Sequence, residues 1–548
     1  MFIFLGIILL FFSIPAWSSA PPNPLVYDTG PLPANLKKMA LSQRLPVPKM
    51  RRFQISKAPE TIGKIKVIVL LIRFTDKAPS HTAAYFNDLI FSGIASMNKY
   101  YQETSYDQTF IEGEVGTTWL ESSKAMAYYG ADSDVAHVDD KYGDIYQLAR
   151  EAVQKAALDG VDFSPYDSND ADQNIDHLIV VHAGAAQERT GSSNDIWSHH
   201  WQIGGVYPQP ESVGGGKFAL NYVLISEDSP VGIFAHEFAH GLGLPDLYDT
   251  STGKTSVGDW DLMDHGAWLG SPQGSQPAHF SAWSKIQLGW ITPEVINQPN
   301  TNLTVKPIET DSTNSLYKGN ILTADDSSKE YFLFEYRKRT GFDVSLPAEG
   351  LLIWHIDDAI GKIEDNNVNV SNPHRRVDLV EADGSDSADT YSGDPYPGSQ
   401  NITTFSRPSS NAYNGKASGI GLINIRNAGQ SLMQTAYFTI AAAAYLSVNS
   451  LINYPNPSLD GQVHIRFSLS RYVPNVKLEI FDLAGERVRD ISSGEINFDI
   501  NKSSDRNWVY NYLWNGKNDG GEKVASGIYV YLLEAEGKKR IGKIAIVR

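Results

Sequence analysis

The chain has 548 residues, an apolar fraction of 42%, a formal net charge of −17 at pH 7 and no cysteine. A chain of this length and composition is expected to fold into several globular domains. The negative charge argues against nucleic acid or an anionic membrane as the main binding partner. The absence of cysteine excludes disulfide bonds, thiolate ligands to a metal, and latency through a cysteine switch.

The first residues are typical of an exported protein. Residues 2–15 form an apolar run too short for a membrane span, and residues 16–18 (AWS) supply a small-residue cleavage site. We therefore predict a signal peptide over residues 1–18, with an uncleaved anchor as the alternative. Residues 19–60 are rich in proline and lack a core of their own, which indicates either a pro-segment or a plain linker.

Strand and helix patterns then alternate along the chain. Residues 64–72 (KIKVIVLLI) are a β-branched apolar run, which predicts a buried central strand, and residues 176–184 predict another. Residues 81–104 and 140–158 have the apolar spacing of amphipathic helices. This alternation predicts an α/β domain over residues 61–295.

An acidic segment, residues 166–176 (YDSNDADQNID), precedes the second strand. Its oxygen donors are Asp167, Asn169, Asp170, Asp172, Asn174 and Asp176, at the short alternating spacing that suits a calcium ion in a flexible loop. The segment lacks the central glycine and the closing glutamate of an EF-hand loop. A calcium site and a solvated acidic turn therefore stand as alternative interpretations.

The most informative motif is His236-Glu237-Phe238-Ala239-His240. Side chains four residues apart share one face of a helix, so His236 and His240 can present two imidazoles to one zinc ion. Glu237 then lies beside a water bound to that ion, where it can act as a general base. The alternative is a chance occurrence of HExxH on an ordinary helix.

The continuation of the motif predicts the third ligand. Gly243 can adopt a positive φ and reverse the chain, which brings Asp246 back towards the ion. Two histidines and a carboxylate with an open fourth position are typical of a catalytic zinc site rather than a structural one. Asp249 and Glu227 remain alternatives for the third ligand.

Residues 258–266 (GDWDLMDHG) follow, and Met263 suits the methionine turn that lies beneath the metal in proteases with the extended motif. His265 is a candidate for stabilising an oxyanion or binding the metal, and Tyr248 is a second candidate for the oxyanion. An ordinary core methionine and an ordinary histidine are the alternatives.

The rest of the chain is rich in alternating, turn-separated apolar runs. Residues 296–441 predict an all-β domain. Residues 450–548 contain strands separated by Asp-Gly and Gly-Gly turns, which predict a small Ig-like β-sandwich. The expected fold class is therefore a multidomain protein with an α/β domain, an all-β domain and a C-terminal β-sandwich.

Three segments carry a resemblance to a known family: HEFAHGLGLPDLYD, GDWDLMDHGAW and PAHFSAWSKIQLGWI. They resemble the immune-inhibitor-A-type secreted bacterial metalloproteases, and the likeness extends over roughly residues 64–440. The resemblance implies a metzincin-like zinc endopeptidase domain, and in this family the third ligand is commonly an aspartate, as at Asp246.

The C-terminal region carries a second resemblance, based on YPNP at its start and GIYVYLL near its end. It is similar to flagellar-hook-capping Ig-like domains and to the sorting domains of type-nine secretion. This implies an outer-membrane secretion machinery as a partner.

Together these features predict a secreted or cell-surface bacterial zinc endopeptidase, made as a zymogen whose pro-segment blocks the cleft. The expected partners are protein or peptide substrates, with no nucleic acid and no stable membrane span in the mature chain. The expected cofactor is Zn²⁺, with Ca²⁺ at the acidic segment as the alternative described above. Two other functions remain open: a surface-attached binding protein with a degenerate protease domain, and a zinc hydrolase of non-protein substrates.

Overall fold

The computed structural model describes residues 18–21 and most of residues 60–548. The gaps within the second range are residues 133–138, 140, 143, 169–171, 206–207, 297–299, 322–328, 371–372, 386–387, 397–401, 403–405, 407, 417, 419, 430–431, 440–447, 471–472, 474–475, 500–507 and 536. Most of the predicted signal peptide and pro-segment, and Asn169 of the acidic segment, therefore lie outside the described residues.

Most of the regular structure is β-strand, distributed over the whole described chain. The strands are β1 (Ser18–Ser19), β2 (Gly63–Arg73), β3 (Thr109–Glu121), β4 (Leu178–His182), β5 (His199–Gln202), β6 (Glu211–Gly214), β7 (Lys217–Ala219), β8 (Asn221–Ser226), β9 (Glu294–Ile296), β10 (Asn300–Val305), β11 (Leu316–Asn320), β12 (Glu330–Arg337), β13 (Gly350–Asp357), β14 (Val377–Leu379), β15 (Ile420–Gly429), β16 (Leu432–Thr439), β17 (Val448–Tyr454), β18 (Val463–Leu469), β19 (Val476–Phe481), β20 (Arg487–Ile491), β21 (Asn497–Phe498), β22 (Trp508–Trp514), β23 (Gly527–Ala535) and β24 (Lys538–Ile546).

The α-helices occur before residue 290. They are α1 (Ala83–Asn87), α2 (Met97–Thr104), α3 (Met126–Gly130), α4 (Tyr146–Leu158), α5 (Gln187–Thr190), α6 (Val231–Gly241) and α7 (Ala282–Gln287).

A six-stranded mixed sheet forms the centre of the N-terminal half, in the order β1-β5-β8-β4-β2-β3. Strands β3, β2, β4 and β8 run parallel, whereas β5 pairs antiparallel with β8 and β1 antiparallel with β5. The apolar run in β2 is buried on both faces, as expected for a central parallel strand. The two strands predicted at 64–72 and 176–184 are thus confirmed as β2 and β4.

The prediction of a single helix over residues 81–104 is wrong. Helix α1 continues into a π-helical turn, Asp88–Ser92, and the chain then becomes extended at Gly93. A new helix, α2, starts after Ser96, whose side chain accepts a hydrogen bond from the backbone N–H of Lys99. A serine cap of this kind starts a helix because it satisfies one of the free N–H groups of the first turn. The helix predicted at 140–158 forms over a shorter stretch, as α4.

Helix α6 carries the HExxH motif and is buried from Val231 to His240. It ends at Gly241, and Gly243 adopts a positive φ of 96°. The backbone N–H groups of Gly243 and Leu244 donate to the carbonyls of His240 and Ala239, which closes the helix in the manner of a glycine cap. Gly243 therefore reverses the chain, as its position predicts.

Downstream, a five-stranded sheet in the order β14-β13-β12-β11-β9 and a three-stranded sheet in the order β10-β16-β15 make up the β-rich region. The five-stranded sheet shares a hydrophobic core with the preceding region: Leu333 and Trp354 belong to the same buried cluster as Phe238 of α6. The core is thus continuous across the boundary predicted near residue 295.

The C-terminal region contains two four-stranded antiparallel sheets, ordered β17-β18-β22-β21 and β20-β19-β23-β24. Phe467 and Trp514 of the first sheet and Tyr531 of the second belong to one buried cluster. The chain is thus multidomain with mixed and antiparallel sheets. Within the described residues, no helix combines the length and apolarity needed to cross a membrane.

Candidate metal centre

Three buried side chains converge where α6 meets the loop that follows it. The ligand atoms of His236, His240 and Asp246 all lie within 4.8 Å of one another. The Nε2 atoms of His236 and His240 are 3.1 Å apart. Oδ1 of Asp246 lies 3.1 Å from Nε2 of His236 and 3.3 Å from Nε2 of His240. The helix supplies the two histidines on one face, and the turn at Gly243 returns the aspartate to them.

The hydrogen bonds of the two rings determine which nitrogen faces the site. Nδ1 of His236 lies 2.9 Å from the carbonyl oxygen of Leu262, and Nδ1 of His240 lies 2.8 Å from that of Leu244. A carbonyl oxygen can only accept, so in each ring Nδ1 carries the proton and Nε2 of the neutral ring presents a lone pair. Oδ1 of Asp246 also has no hydrogen-bond partner.

Three acceptor atoms thus face each other in a buried site with no proton to share, an arrangement that a cation stabilises. Two imidazole nitrogens and one carboxylate oxygen are a ligand set that zinc takes in catalytic sites. The residues therefore fit zinc.

Glu237 lies on the same helix and is fully buried. Neither of its carboxylate oxygens has a partner at hydrogen-bond geometry within the described residues. Burial raises the pKa of Glu237 well above its usual range, the charges of Asp246 and Glu188 add to this, and the backbone of His200 acts weakly in the opposite direction. A cation beside it would lower that pKa and favour the carboxylate form.

The turn that contains Met263 contacts the site, and Met263 itself is fully buried. The carbonyl oxygen of Met263 accepts from the backbone N–H of Leu247, 2.8 Å away, so the turn contacts the segment that carries Asp246. Asp261 accepts from the N–H of Met263, from the backbone N–H of Ser281, which caps α7, and from the hydroxyl of Ser284 within α7. The turn is thus fixed both to the ligand loop and to the next helix.

Residues 60–291 match the catalytic domain of the immune inhibitor A peptidase M6 family. The segment contains all three converging residues and Glu237.

Two curated relatives are similar to part of this chain. Immune inhibitor A of Bacillus thuringiensis subsp. alesti is 31% identical over 274 residues, which cover 41% of this chain and 39% of that protein. The pre-pro-metalloprotease PrtV of Vibrio cholerae serotype O1 is 32% identical over 270 residues, 40% of this chain and 29% of that protein. The similarity therefore spans less than half of either relative.

Two solved structures from Porphyromonas gingivalis share short stretches of structure with this chain. Dimeric latent PorU is 19% identical at a TM-score of 0.15 and covers 21% of this chain and 11% of that chain. PorZ, a surface component of the type-IX secretion system, is 14% identical at a TM-score of 0.16 and covers 42% of this chain and 23% of that chain. These scores are too low to carry an argument.

The other carboxylates considered as third ligands of the peptidase M6 domain have partners elsewhere. Asp249 accepts from the backbone and side chain of Ser251 and from Thr252. Glu227 accepts from three backbone N–H groups, those of Ser80, His81 and Gly184. Neither belongs to the converging group, so Asp246 is the residue that the geometry favours.

The two candidate oxyanion residues, Tyr248 and His265, are both buried, and both follow Asp246 in the chain. Tyr248 follows the ligand loop, and His265 starts the 3₁₀ turn His265–Trp268, where Asp264 caps its backbone N–H. The converging group includes neither of them. Their roles in catalysis stay predictions.

The calcium site predicted at the acidic segment is not supported. Asp167 forms an ion pair with Lys217 and accepts from the N–H of Gln173, and Asp172 and Asp176 accept from residues of the same turn. Among the described residues, His236, His240 and Asp246 are the group that could hold a metal ion. The acidic side chains thus stabilise their own loop.

Sequence reasoning missed one buried contact to the ligands. Asn366, in the loop after β13, binds both the side chain and the backbone of Asp246. No local pattern signals this contact, because the two residues are separated by 120 positions in the chain.

Proposed function

We propose that this chain is a zinc-dependent endopeptidase that hydrolyses peptide bonds of extracellular proteins. The observation that carries the proposal is the convergence of three acceptor atoms, from His236, His240 and Asp246, beside the unpaired carboxylate of Glu237. The match of residues 60–291 to the peptidase M6 family supports a metallopeptidase. An intact base argues against a pure binding protein, which would have no need of one.

The residues divide the chemistry between them. Bound zinc supplies an acidified water ligand and polarises the scissile carbonyl. His236, His240 and Asp246 would hold the ion through two imidazole nitrogens and one carboxylate oxygen. Glu237 accepts a proton from the attacking water and then delivers it to the leaving amine. His265 and Tyr248 are proposed to assist at the developing oxyanion.

The test compares Glu237→Gln with the parent protein, measuring zinc content and casein hydrolysis with and without a chelator. The variant should bind zinc as the parent does and lose about 10²-fold to 10⁴-fold in rate, the range of a general base. A matched pair checks the third ligand: Asp246→Asn should lose zinc, whereas Asp249→Asn should keep it. Zinc-dependent casein hydrolysis that survives in Glu237→Gln would refute the mechanism.

The proposal includes synthesis as a zymogen, and the first described residues support it. Ser19, the first residue of the proposed pro-segment, pairs antiparallel with His199 of β5 at the edge of the central sheet, and β1 contacts α6. The indole N–H groups of Trp197 and Trp268 donate to the carbonyls of Ala20 and Pro21, at 2.9 and 3.0 Å.

This segment pairs in the way an extended peptide adds to a sheet edge, through main-chain hydrogen bonds. We propose that it occupies the edge that substrate would otherwise use, so that its removal activates the enzyme. The name of PrtV describes that relative as a pre-pro-metalloprotease, which is in line with a signal peptide followed by a pro-segment.

Activation can be followed directly. The full chain should show little hydrolysis until limited proteolysis removes its N-terminal region, and a chain that begins at Thr61 should be active at once. Equal activity before and after cleavage would contradict latency while leaving the zinc chemistry intact. Residues 1–18 are proposed as the signal peptide, residues 19–60 as the pro-segment and residues 61–295 as the catalytic domain.

The proposal for the remaining chain rests on sequence resemblance. Residues 296–441 are proposed as an all-β accessory domain, and residues 450–548 as an Ig-like sorting module for export to the bacterial surface or medium. Deletion of residues 450–548 should abolish export of a chain that still hydrolyses casein. Unchanged export would refute the sorting role.

A further inference from the structure

The contact between Asn366 and Asp246 joins two distant parts of the chain at the metal centre. The side-chain oxygen of Asn366 accepts from the backbone N–H of Asp246, 2.7 Å away. Its side-chain nitrogen donates to Oδ2 of Asp246, 2.5 Å away. Both residues are buried, at 4% and 1% exposure, so water does not compete for these bonds.

The amide side chain of Asn366 makes both bonds at once, because it carries a donor and an acceptor side by side. Asn366 also has a φ of 47° and a ψ of 42°, in the left-handed region. Asparagine tolerates this region better than most residues, since its short polar side chain can bond locally. Asparagine at position 366 thus suits both the left-handed backbone and the two hydrogen bonds to Asp246.

The loop that carries Asn366 is fixed to the ligand loop by further bonds. The hydroxyl of Thr250 donates to the carbonyl oxygen of Asn366, 2.9 Å away. The amide of Asn369 donates to the carbonyl oxygens of Leu247 and Val377, at 2.8 and 2.9 Å. Asn366 is therefore held in place on the same stretch of chain that it contacts.

Each proposed ligand then has an orienting partner. The rings of His236 and His240 are oriented by carbonyl oxygens of Leu262 and Leu244, within the peptidase M6 segment. The carboxylate of Asp246 is oriented by a side chain that lies beyond that segment.

We propose that Asn366 is a positioning residue for the metal centre, which is completed by the chain downstream of the catalytic motif. This inference rests on the zinc site proposed above. By occupying Oδ2 of Asp246, the amide directs Oδ1 towards the two histidines and limits the carboxylate to a single ligand atom. It also restricts rotation of the side chain, so that less conformational freedom is lost when an ion binds.

Two substitutions in the full chain test this role. Asn366→Gly removes the amide and keeps the left-handed backbone without strain, since glycine adopts a positive φ readily. Asn366→Asp keeps the shape but replaces the donor with a carboxylate oxygen, which cannot bond to Oδ2. The matched control is Asn367→Asp, which adds the same charge in the same loop and retains the oxygen that accepts from the N–H of Lys362.

The first readout is the zinc dissociation constant, measured by competition with a chromophoric chelator. Both Asn366 variants should bind zinc about 10-fold to 100-fold more weakly than the parent, the range for loss of an orienting partner, and the control should match the parent. The second readout is the visible spectrum of the cobalt-substituted protein, which reports ligand geometry and should change only in the Asn366 variants.

The outcomes separate the two proposals. A parent chain without affinity for zinc refutes the proposed function and this inference with it. A parent that binds zinc, with both Asn366 variants within 3-fold of its affinity and unchanged cobalt spectra, refutes the inference alone. Thermal unfolding in excess chelator identifies a variant that has merely lost its fold. If Asn366→Gly and Asn366→Asp both unfold at a lower temperature than the parent, disruption of the loop explains their weaker zinc binding. That result also overturns the positioning role.

Discussion

Replacing Arg337 with methionine should destabilise the protein strongly, although Arg337 belongs neither to the ligand group nor to the peptidase M6 segment. The side chain is fully buried at the end of β12. Its Nε and Nη2 atoms donate to the two carboxylate oxygens of Asp343, at 2.9 and 2.8 Å, in a fork geometry. Nε also lies 3.2 Å from Glu309, and Nη1 donates to the carbonyl oxygen of Trp260, 2.9 Å away.

The magnitude follows from the charges left behind. The guanidinium holds the pKa of Asp343 below its usual range against the effect of burial. Burial raises the pKa of Glu309 and of Glu335, and Arg337 opposes both shifts. Removing one partner of a buried ion pair costs about 3–5 kcal/mol, because the remaining charges are left uncompensated. We expect a loss of that size at pH 7.

The loss of unfolding free energy in Arg337→Met should depend on pH in a defined direction. In the parent, the depressed pKa of Asp343 contributes stability above the unfolded-state pKa, and this contribution is lost as pH falls through the folded-state pKa. In the variant, burial without the guanidinium penalises the ionised carboxylates, and this penalty shrinks as they become protonated at low pH. The difference in unfolding free energy should therefore be largest near pH 7 and smaller near pH 4.

The assay is urea unfolding followed by tryptophan fluorescence, at both pH values and in the presence of a chelator. Arg339→Met is the matched control, since Arg339 lies two positions further on and is exposed, and it should change stability by less than about 1 kcal/mol. A loss below about 1 kcal/mol for Arg337→Met, or an equal loss at both pH values, would refute the reasoning.

Two further predictions concern buried positions near α6. Gly232→Ala should lower the unfolding free energy by about 1–3 kcal/mol in the same assay, because a Cβ there would lie 2.0 Å from the carbonyl oxygen of Ala267; an unchanged value would show that the helix can move away. Glu188→Gln should raise stability at pH 8 and flatten its dependence between about pH 4.5 and 7, since burial raises the pKa of Glu188 to about 7. Because the folded-state pKa of Glu188 lies above its unfolded-state value, the unfolding free energy of the parent falls by up to about 3 kcal/mol as pH rises through this window. If Glu188→Gln has the same pH dependence of stability as the parent, the raised pKa of Glu188 is refuted.

Local patterns predicted the elements on which the candidate site depends. The continuous apolar run of β2 and the four-residue spacing of His236 and His240 are periodic signals, and periodicity follows directly from backbone geometry. The positive φ at Gly243 is likewise a property of one residue type. These features are short-range, so the sequence alone was enough to anticipate the approach of Asp246 to the histidines.

Features that depend on distant partners escaped prediction. One local feature escaped it as well, since the helix ends at Gly93 and the Ser96 cap starts a new one. The contact of Asn366 with Asp246 and that of Arg337 with Trp260 join residues separated by 120 and 77 positions. Such pairings leave no periodic signal in the sequence, because they join segments that are distant along the chain.

Those two contacts bear on how large the metal-binding unit is. The family match ends at residue 291, yet the carbonyl of Trp260, just ahead of the turn that contains Met263, is bonded to Arg337, and Asp246 is bonded to Asn366. A chain that ended at residue 291 would keep the complete HExxH motif, but it would leave Oδ2 and the backbone N–H of Asp246 without these partners. Since a buried polar group without its partner loses free energy, the ligand loop would have to rearrange or become hydrated. The ligand set alone therefore does not define the site, and its geometry depends on the β-rich region that packs behind it.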